Sequence, residues 1–375
     1  MSPKDLPKTM RALVIAQFKA DPPYELRDDL PVPQLGPKDV LLKIATAGYC
    51  HTEVMVTRGD FASKSRAGLP LIPSHEPTGT IVAFGQEAEA MASEVDGIGN
   101  DGPLKLGDRV GCLTFRDFCG KCDDCKAGQP KFCQDQDMVG VTADGACAEY
   151  MRADIRSCFR LPAKLSFDAA APLCCAGATI YTAIKGCSLR AGQRLAIIGA
   201  GALGHLGVQM SKCLGLQTIL LDARDPPLDM CRKLPYPPDV AYNSGSVDPK
   251  NPKQVSKLLE DIGGPVHAVI VATDVIPAFE VALAILRNHG LLMVVGQPEN
   301  PIPVSYNDLI FRDITVKGSL LGDPALTKEM CDLVADRGIE VKTQAYPLED
   351  VERMRADYAK PGHSGKMVLR VSDGA

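Results

Sequence analysis

No stretch of this 375-residue chain approaches the ~20 consecutive apolar residues that a membrane helix needs. Its first segment, Met1 to Met10, is charged and punctuated by proline, without the apolar centre of a secretory signal. A cytoplasmic protein is therefore expected. Positive charge is not in excess: 41 Lys+Arg stand against 46 Asp+Glu, a formal net charge of -5. Nothing draws such a chain to nucleic acid or to an anionic membrane, so the expected partner is a small molecule. Internal repeats and low-complexity tracts are also missing, which excludes a solenoid.

What is present is size and cysteine. At 45% hydrophobic and 23% charged residues, the chain is too apolar for disorder and long enough for two packed cores. Its 14 cysteines lack an export signal, and several lie at short spacing or near histidine, which favours reduced, metal-binding thiols over disulfides.

The pattern changes once along the chain. Residues 1–172 read as short β-type runs such as Val40-Leu41-Leu42-Lys43-Ile44 between Pro and Gly, a β-rich lobe with a cysteine-dense segment at about 112–135. The polar stretch from Gly85 to Lys105 reads as a surface insertion. Residues 173–320 alternate apolar runs with helix-length segments, the signature of a doubly wound parallel sheet. Residues 321–375 offer a helix-like Ala325 to Asp336 and a closing β-type run, Lys366 to Val371, assigned back to the first lobe. The fold class is α/β.

The run Leu195 to Ile198 leads into Gly199-Ala200-Gly201-Ala202-Leu203-Gly204, a G-x-G-x-x-G turn opening a helix. Gly199, Gly201 and Gly204 permit the tight turn and a close approach to a pyrophosphate, and the helix N-terminus attracts its charge. Asp222 follows 18 residues after Gly204, where a carboxylate accepts ribose hydroxyls and repels a 2′-phosphate. NAD is favoured over NADP. Arg224 qualifies the preference, being of the type that serves a 2′-phosphate.

Cys119, Cys122, Cys125 and Cys133 place four thiols within fifteen residues. Four thiolates satisfy tetrahedral zinc and leave no open position, so the site reads as structural. An iron–sulfur cluster is the alternative, and nothing else in the chain speaks of electron transfer. Three separated pieces remain: Cys50-His51-Thr52-Glu53, Ser74-His75-Glu76-Pro77 and Cys174-Cys175-Ala176-Gly177. Two thiolates and an imidazole make a zinc site whose fourth position is open to water or substrate.

On these motifs the chain resembles the zinc-containing medium-chain alcohol dehydrogenases, especially the yeast and fungal type, over nearly its whole length. The resemblance implies a GroES-like catalytic domain beside a Rossmann domain, a homodimer or homotetramer, and two zinc ions per chain with NAD. It assigns Cys50, His75 and Cys175 to the catalytic zinc, with Glu76 as the carboxylate that approaches the metal. The Cys-Ala-Gly register selects Cys175 over Cys174. It places Thr52 on the substrate oxygen and Glu53 behind His75, and sets His51, Thr179 and Lys366 along the cofactor. Two departures stand out: Glu53 replaces the usual aspartate, and Met55 replaces the histidine that ends the family's proton relay. The implied activity is hydride transfer between NAD and a small alcohol or aldehyde. Reduction of an activated C=C bond and a non-catalytic nucleotide-binding role are the competing readings.

Overall fold

The computed structural model describes residues 6–19, 21–64, 68–95, 102–360 and 365–372. Two sheets organise them. The strands Arg194–Ile198, Gln217–Asp222, Val240–Asn243, Val266–Val271, Leu286–Val294 and Thr315–Gly318 form one sheet, every pairing parallel. Numbered in sequence, their order is 3-2-1-4-5-6, and the order reverses beside Arg194–Ile198. A cofactor crevice is expected at that switch point, outside the carboxyl ends of the strands.

Side-chain alternation explains why this sheet is covered on both faces. Leu195, Ile197, Leu220, Ala268 and Ile270 enter one buried cluster, which includes the helix Ala176–Gly186. Their neighbours Ala196, Ile198, Ile219, Leu221, Val269 and Val271 enter another on the opposite face. Both clusters are apolar, so these strands read as nearly continuous hydrophobic runs.

The second sheet runs Thr343–Pro347, Lys366–Arg370, Asp39–Tyr49, Pro77–Phe84, Arg109–Cys112, Cys158–Arg160, and Tyr150–Asp154 also pairs Asp39–Tyr49. The long strand Asp39–Tyr49 changes partners along its length. Its first half pairs Tyr150–Asp154, and its end pairs Lys366–Arg370 with Tyr49 opposite Met367. Because Pro77–Phe84 runs antiparallel with Pro77 opposite Ala47, Cys50, His75, Glu76 and Lys366 emerge at one end of one sheet. That register carries the site.

One expectation needs correction. The segment read as a surface insertion contains a helix, Ala88–Val95, in which Ala88 and Ala92 are buried in the first core; residues 96–101 lie outside the described set. Small residues at an i, i+4 spacing put one face of the helix into the core beside the turn Ile155–Ser157, a helical signal masked by the surrounding charge. The helix Pro324–Arg337 packs Met330, Cys331 and Val334 into the cluster that holds Ala176–Gly186, and the strands that follow return to the first sheet. Among the described residues no single helix is long and apolar enough to cross a membrane.

Candidate functional site

Cys50 is the last residue before the helix His51–Arg58, and Glu53, three residues on, closes the helix start. One Glu53 oxygen accepts the Cys50 backbone N–H at 2.7 Å. The other lies 2.6 Å from His75 Nδ1 and 3.2 Å from the His75 backbone nitrogen. One buried carboxylate thus fixes two pieces of chain that are 22 residues apart. The longer side chain of glutamate makes both contacts. With Nδ1 donating to Glu53, His75 keeps Nε2 as a lone-pair donor, the arrangement that second-shell carboxylates impose on metal-binding histidines.

His75 itself follows a strained residue. Ser74 has φ 78, and its hydroxyl donates to Gly48 O at 2.8 Å while its own carbonyl accepts the Ala146 N–H. A non-glycine residue in that region persists only where surrounding contacts over-determine it. On the strand opposite, Gly48 is required for space: a Cβ there would collide with the Glu76 carboxylate.

Cys50, His75, Glu76 and Cys175 come together with one ligand atom from each within 4.8 Å of the others. Cys174 does not join them; its thiol donates to Pro77 O at 3.2 Å and is buried. The hydrogen bond from Cys175 holds the Cys50 thiol well below its usual range against burial, helped by Lys366 and His75. The same shared proton, with burial, pushes Cys175 up. Burial would lower His75, but Glu53 and Cys50 raise it. Glu76 is raised to about 7 by burial, against the pull of Lys366. Lys366 Nζ sits 2.6 Å from Glu76 Oε1, whereas Glu76 Oε2 is buried without a hydrogen-bond partner.

This donor set suits a divalent, borderline-soft ion: two thiolates, one oriented imidazole, and a carboxylate oxygen with nothing else to bind. Zinc fits. Thr52 stands beside it, with its hydroxyl oxygen 3.9 Å from Cys50 Sγ. His51, at the helix start, is exposed, and Met55 is partly buried on the next turn.

Cys119, Cys122, Cys125 and Cys133 form a second group with the same 4.8 Å mutual reach. Cys119 Sγ lies 3.6 Å from Cys133 Sγ and 4.0 Å from Cys125 Sγ, close to the ~3.8 Å edge of a tetrahedron with zinc–sulfur bonds of ~2.3 Å. The amides of Lys121 and Cys122 point at Cys119 Sγ and bring its pKa down to about 6. Such a site needs no further ligand.

At the parallel sheet, Gly199 has φ 110, and a Cβ on Gly204 would collide with Gly199 O, so the turn admits no side chain at either place. The helix Ala202–Cys213 begins with no side-chain cap, leaving its N-terminal dipole free for an anion. A dinucleotide fits this cradle. Asp222 closes it: Oδ2 accepts the Ala200 N–H at 2.8 Å, while Oδ1 accepts the Arg224 N–H and Nε, each at 3.0 Å. Thr179 lies partly buried on the helix that follows Cys175.

Lys366, expected along the cofactor phosphates, is found buried against Glu76. Nothing in its own stretch of sequence signals that partner, which is 290 positions away. The Arg224 fork on Asp222 joins an acid and a base at an i, i+2 spacing. Of the remaining histidines, His205 is fully buried with Nδ1 3.1 Å from Gly201 O, His267 Nδ1 accepts the Arg194 N–H, and His289 pairs with Asp313. His363 lies outside the described residues. Phe61 packs against the first core.

Known proteins carry the same two regions. Residues 36–163 match the alcohol dehydrogenase GroES-like domain, and residues 202–336 match the zinc-binding dehydrogenase domain. An alcohol dehydrogenase of Geobacillus stearothermophilus is 33% identical over 362 residues, covering 96% of this chain and all 100% of the relative. The acetophenone reductase of Geotrichum candidum, solved with NAD, superposes with a TM-score of 0.80 at 22% identity, covering 99% of this chain and 100% of the other. A zinc-binding dehydrogenase of Sinorhizobium meliloti bound to NADP gives 0.80 at 21%, covering 97% and 100%.

Proposed function

The chain belongs to the zinc-containing medium-chain alcohol dehydrogenases, and from that premise we propose that it moves hydride between NAD and a small alcohol or aldehyde at the Cys50–His75–Cys175 centre. The observation that carries the assignment is the donor set itself, with Thr52 beside it and Glu53 behind His75. A zinc ion held there supplies Lewis acidity, lowering the cost of negative charge on the substrate oxygen. The residues do the rest. Glu53 keeps His75 in the tautomer that presents Nε2, and Glu76 stands in reserve, restrained by Lys366. The Thr52 hydroxyl accepts the proton of a substrate alcohol and returns it in the reverse direction. Met55 has no basic atom to receive that proton, so we assign the outlet to exposed His51 and solvent.

Asp222 supports NAD as the preferred cofactor, since its carboxylate favours a ribose diol over a phosphate. A second, structural zinc is assigned to Cys119, Cys122, Cys125 and Cys133. We also infer a homo-oligomer: the edge strand Thr315–Gly318 is exposed throughout, beside exposed Leu309, Ile310 and Phe311, a surface that another copy would cover. Free thiols in both donor groups fit a cytoplasmic setting.

The test is a panel of primary, secondary, allylic and aromatic alcohols and aldehydes, run with NAD and NADP beside a zinc determination. Oxidation of alcohols with two zinc ions per chain is expected. One zinc or none in intact protein, or no turnover of any alcohol or aldehyde, would sink the reading. Met55 favours one alternative, reduction of an activated C=C bond. An enal separates the two: an allylic alcohol supports the proposal, and a saturated aldehyde supports the alternative.

A further inference from the structure

The helix Ala202–Cys213 starts at the glycine turn and carries two fully buried polar side chains, His205 and Gln209, one turn apart. Gln209 Nε2 donates to Glu340 O at 2.8 Å and to His205 O at 3.0 Å, and Gln209 Oε1 accepts the Glu340 N–H at 3.0 Å. Both donors and the oxygen of the amide are thus engaged. His205 Nδ1 lies 3.1 Å from Gly201 O, and the Lys342 N–H donates to Nε2 at 3.4 Å. A backbone amide only donates and a carbonyl only accepts, so one neutral tautomer, protonated on Nδ1, serves both partners.

These contacts join the two sheets. Glu340 and Lys342 precede the strand Thr343–Pro347, which pairs with Lys366–Arg370, and Lys342 O accepts the Lys366 N–H at 2.8 Å. The contacts are four residues apart on the helix and two apart on the facing chain, spacings of ~6 Å in a helix and ~6.6 Å in extended chain. Two bonded points at matched spacing fix direction as well as position. Between them, a Cβ on Gly207 would come 2.6 Å from Ile180, on the helix Ala176–Gly186 that follows Cys175. The helix under the cofactor turn is therefore held between the segment that carries Cys175 and the one that leads to Lys366.

We propose that Gln209 and His205 are positioning residues for hydride transfer: they pin the helix of the dinucleotide cradle to the catalytic sheet and so set the distance between nicotinamide and substrate carbon. The inference rests on the proposed NAD-dependent alcohol oxidation and deepens it. Apolar packing alone tolerates sliding, whereas hydrogen bonds to the Glu340 and Lys342 backbone specify one register. Register matters here because the reacting atoms must come within ~3–3.5 Å, and a misplacement of ~1 Å costs on the order of 100-fold in rate.

Pre-steady-state kinetics test the pin. The zinc-loaded wild type, Gln209→Met and His205→Asn are each mixed with NAD and a primary alcohol, protiated or deuterated at the reacting carbon, and the NADH transient is followed. NADH affinity is titrated separately by fluorescence. Gln209→Met keeps the length of the side chain but neither bond to Glu340; His205→Asn keeps a donor for Gly201 O but does not reach Lys342. The rate of the transient should fall about 10–100-fold in Gln209→Met and less in His205→Asn. The slowed step should show a primary deuterium isotope effect, with NADH affinity close to the wild-type value. A damaged fold lowers the amplitude and leaves the rate of the intact fraction, so rate and amplitude separate positioning from folding. Where Gln209→Met does not fold, His205→Asn decides alone. Unchanged rates overturn the proposal, as does a rate loss matched by an equal loss of NADH affinity, which marks damage to the cradle itself. A wild type that gives no transient with any alcohol fails at the prior step, refuting the proposed function and the pin with it.

Discussion

The Lys366 ammonium and the Glu76 carboxylate meet at 2.6 Å in the interior, with side chains 3% and 0% exposed. A buried pair is costly to break from one side only, because the survivor keeps its desolvation penalty without its partner. Lys366→Met should therefore destabilise the fold by about 3–5 kcal/mol. Lys366→Met combined with Glu76→Gln should cost clearly less than the sum of the two single changes, read by denaturant unfolding. Additive losses would mean that the two groups do not interact.

Glu53 is the hinge between Cys50 and His75. Glu53→Gln keeps the length of the side chain but exchanges a carboxylate that accepts from the Cys50 amide and from His75 for a neutral amide. Loss of such a second-shell carboxylate typically weakens a metal site ~10–100-fold. Chelator competition should show one zinc released early from Glu53→Gln while the other stays. Release of both together would place Glu53 outside the metal's support.

The four-cysteine lobe predicts the converse. Cys119→Ser should remove one zinc while sparing the Cys50 centre, and the protein should lose thermal stability before it loses intrinsic turnover. Metal content and melting temperature read this together. An unchanged zinc count would dismiss the structural site.

His205 gives stability a dependence on pH. Burial lowers its pKa from 6.5 to about 4. Between those values the unfolded chain binds the proton and the folded chain does not, so the slope of stability against pH is positive there. Its full contribution is present above pH 6.5 and is lost as pH falls towards 4, amounting to at most about 3 kcal/mol. His205→Gln should flatten that part of the stability curve in chemical denaturation at stepped pH. A curve of unaltered slope would contradict the shift.

His51 is the remaining candidate outlet for the proton taken by Thr52. His51→Gln should lower turnover of a primary alcohol relative to the wild type. Turnover identical to that of the wild type would assign the outlet to solvent alone.

Local spacing made much of this chain legible. Cys119, Cys122, Cys125 and Cys133 are close enough in sequence to share one ion whatever the rest of the fold does, and the strand running into Gly199, Gly201 and Gly204 marks its own turn. Glu53 lies three residues after Cys50, so a single turn brings the two together at the helix start. The helix Ala88–Val95 was not legible, because its buried face is two alanines among charged neighbours.

The sequence by itself thus determined the parallel sheet, the glycine turn and the four-cysteine donor set, since each follows from residues close together in the chain. Tertiary structure decided which distant residues meet. The antiparallel registers that set Pro77 opposite Ala47 and Met367 opposite Tyr49 bring His75, Glu76 and Lys366 to Cys50. It also turned Cys174 into the core while Cys175 joined the metal donors, and committed the Asp222 carboxylate to Arg224. The strand registers and the burial of Cys174 depend on contacts between pieces that are distant in the chain, and no local pattern encodes the register of two such strands.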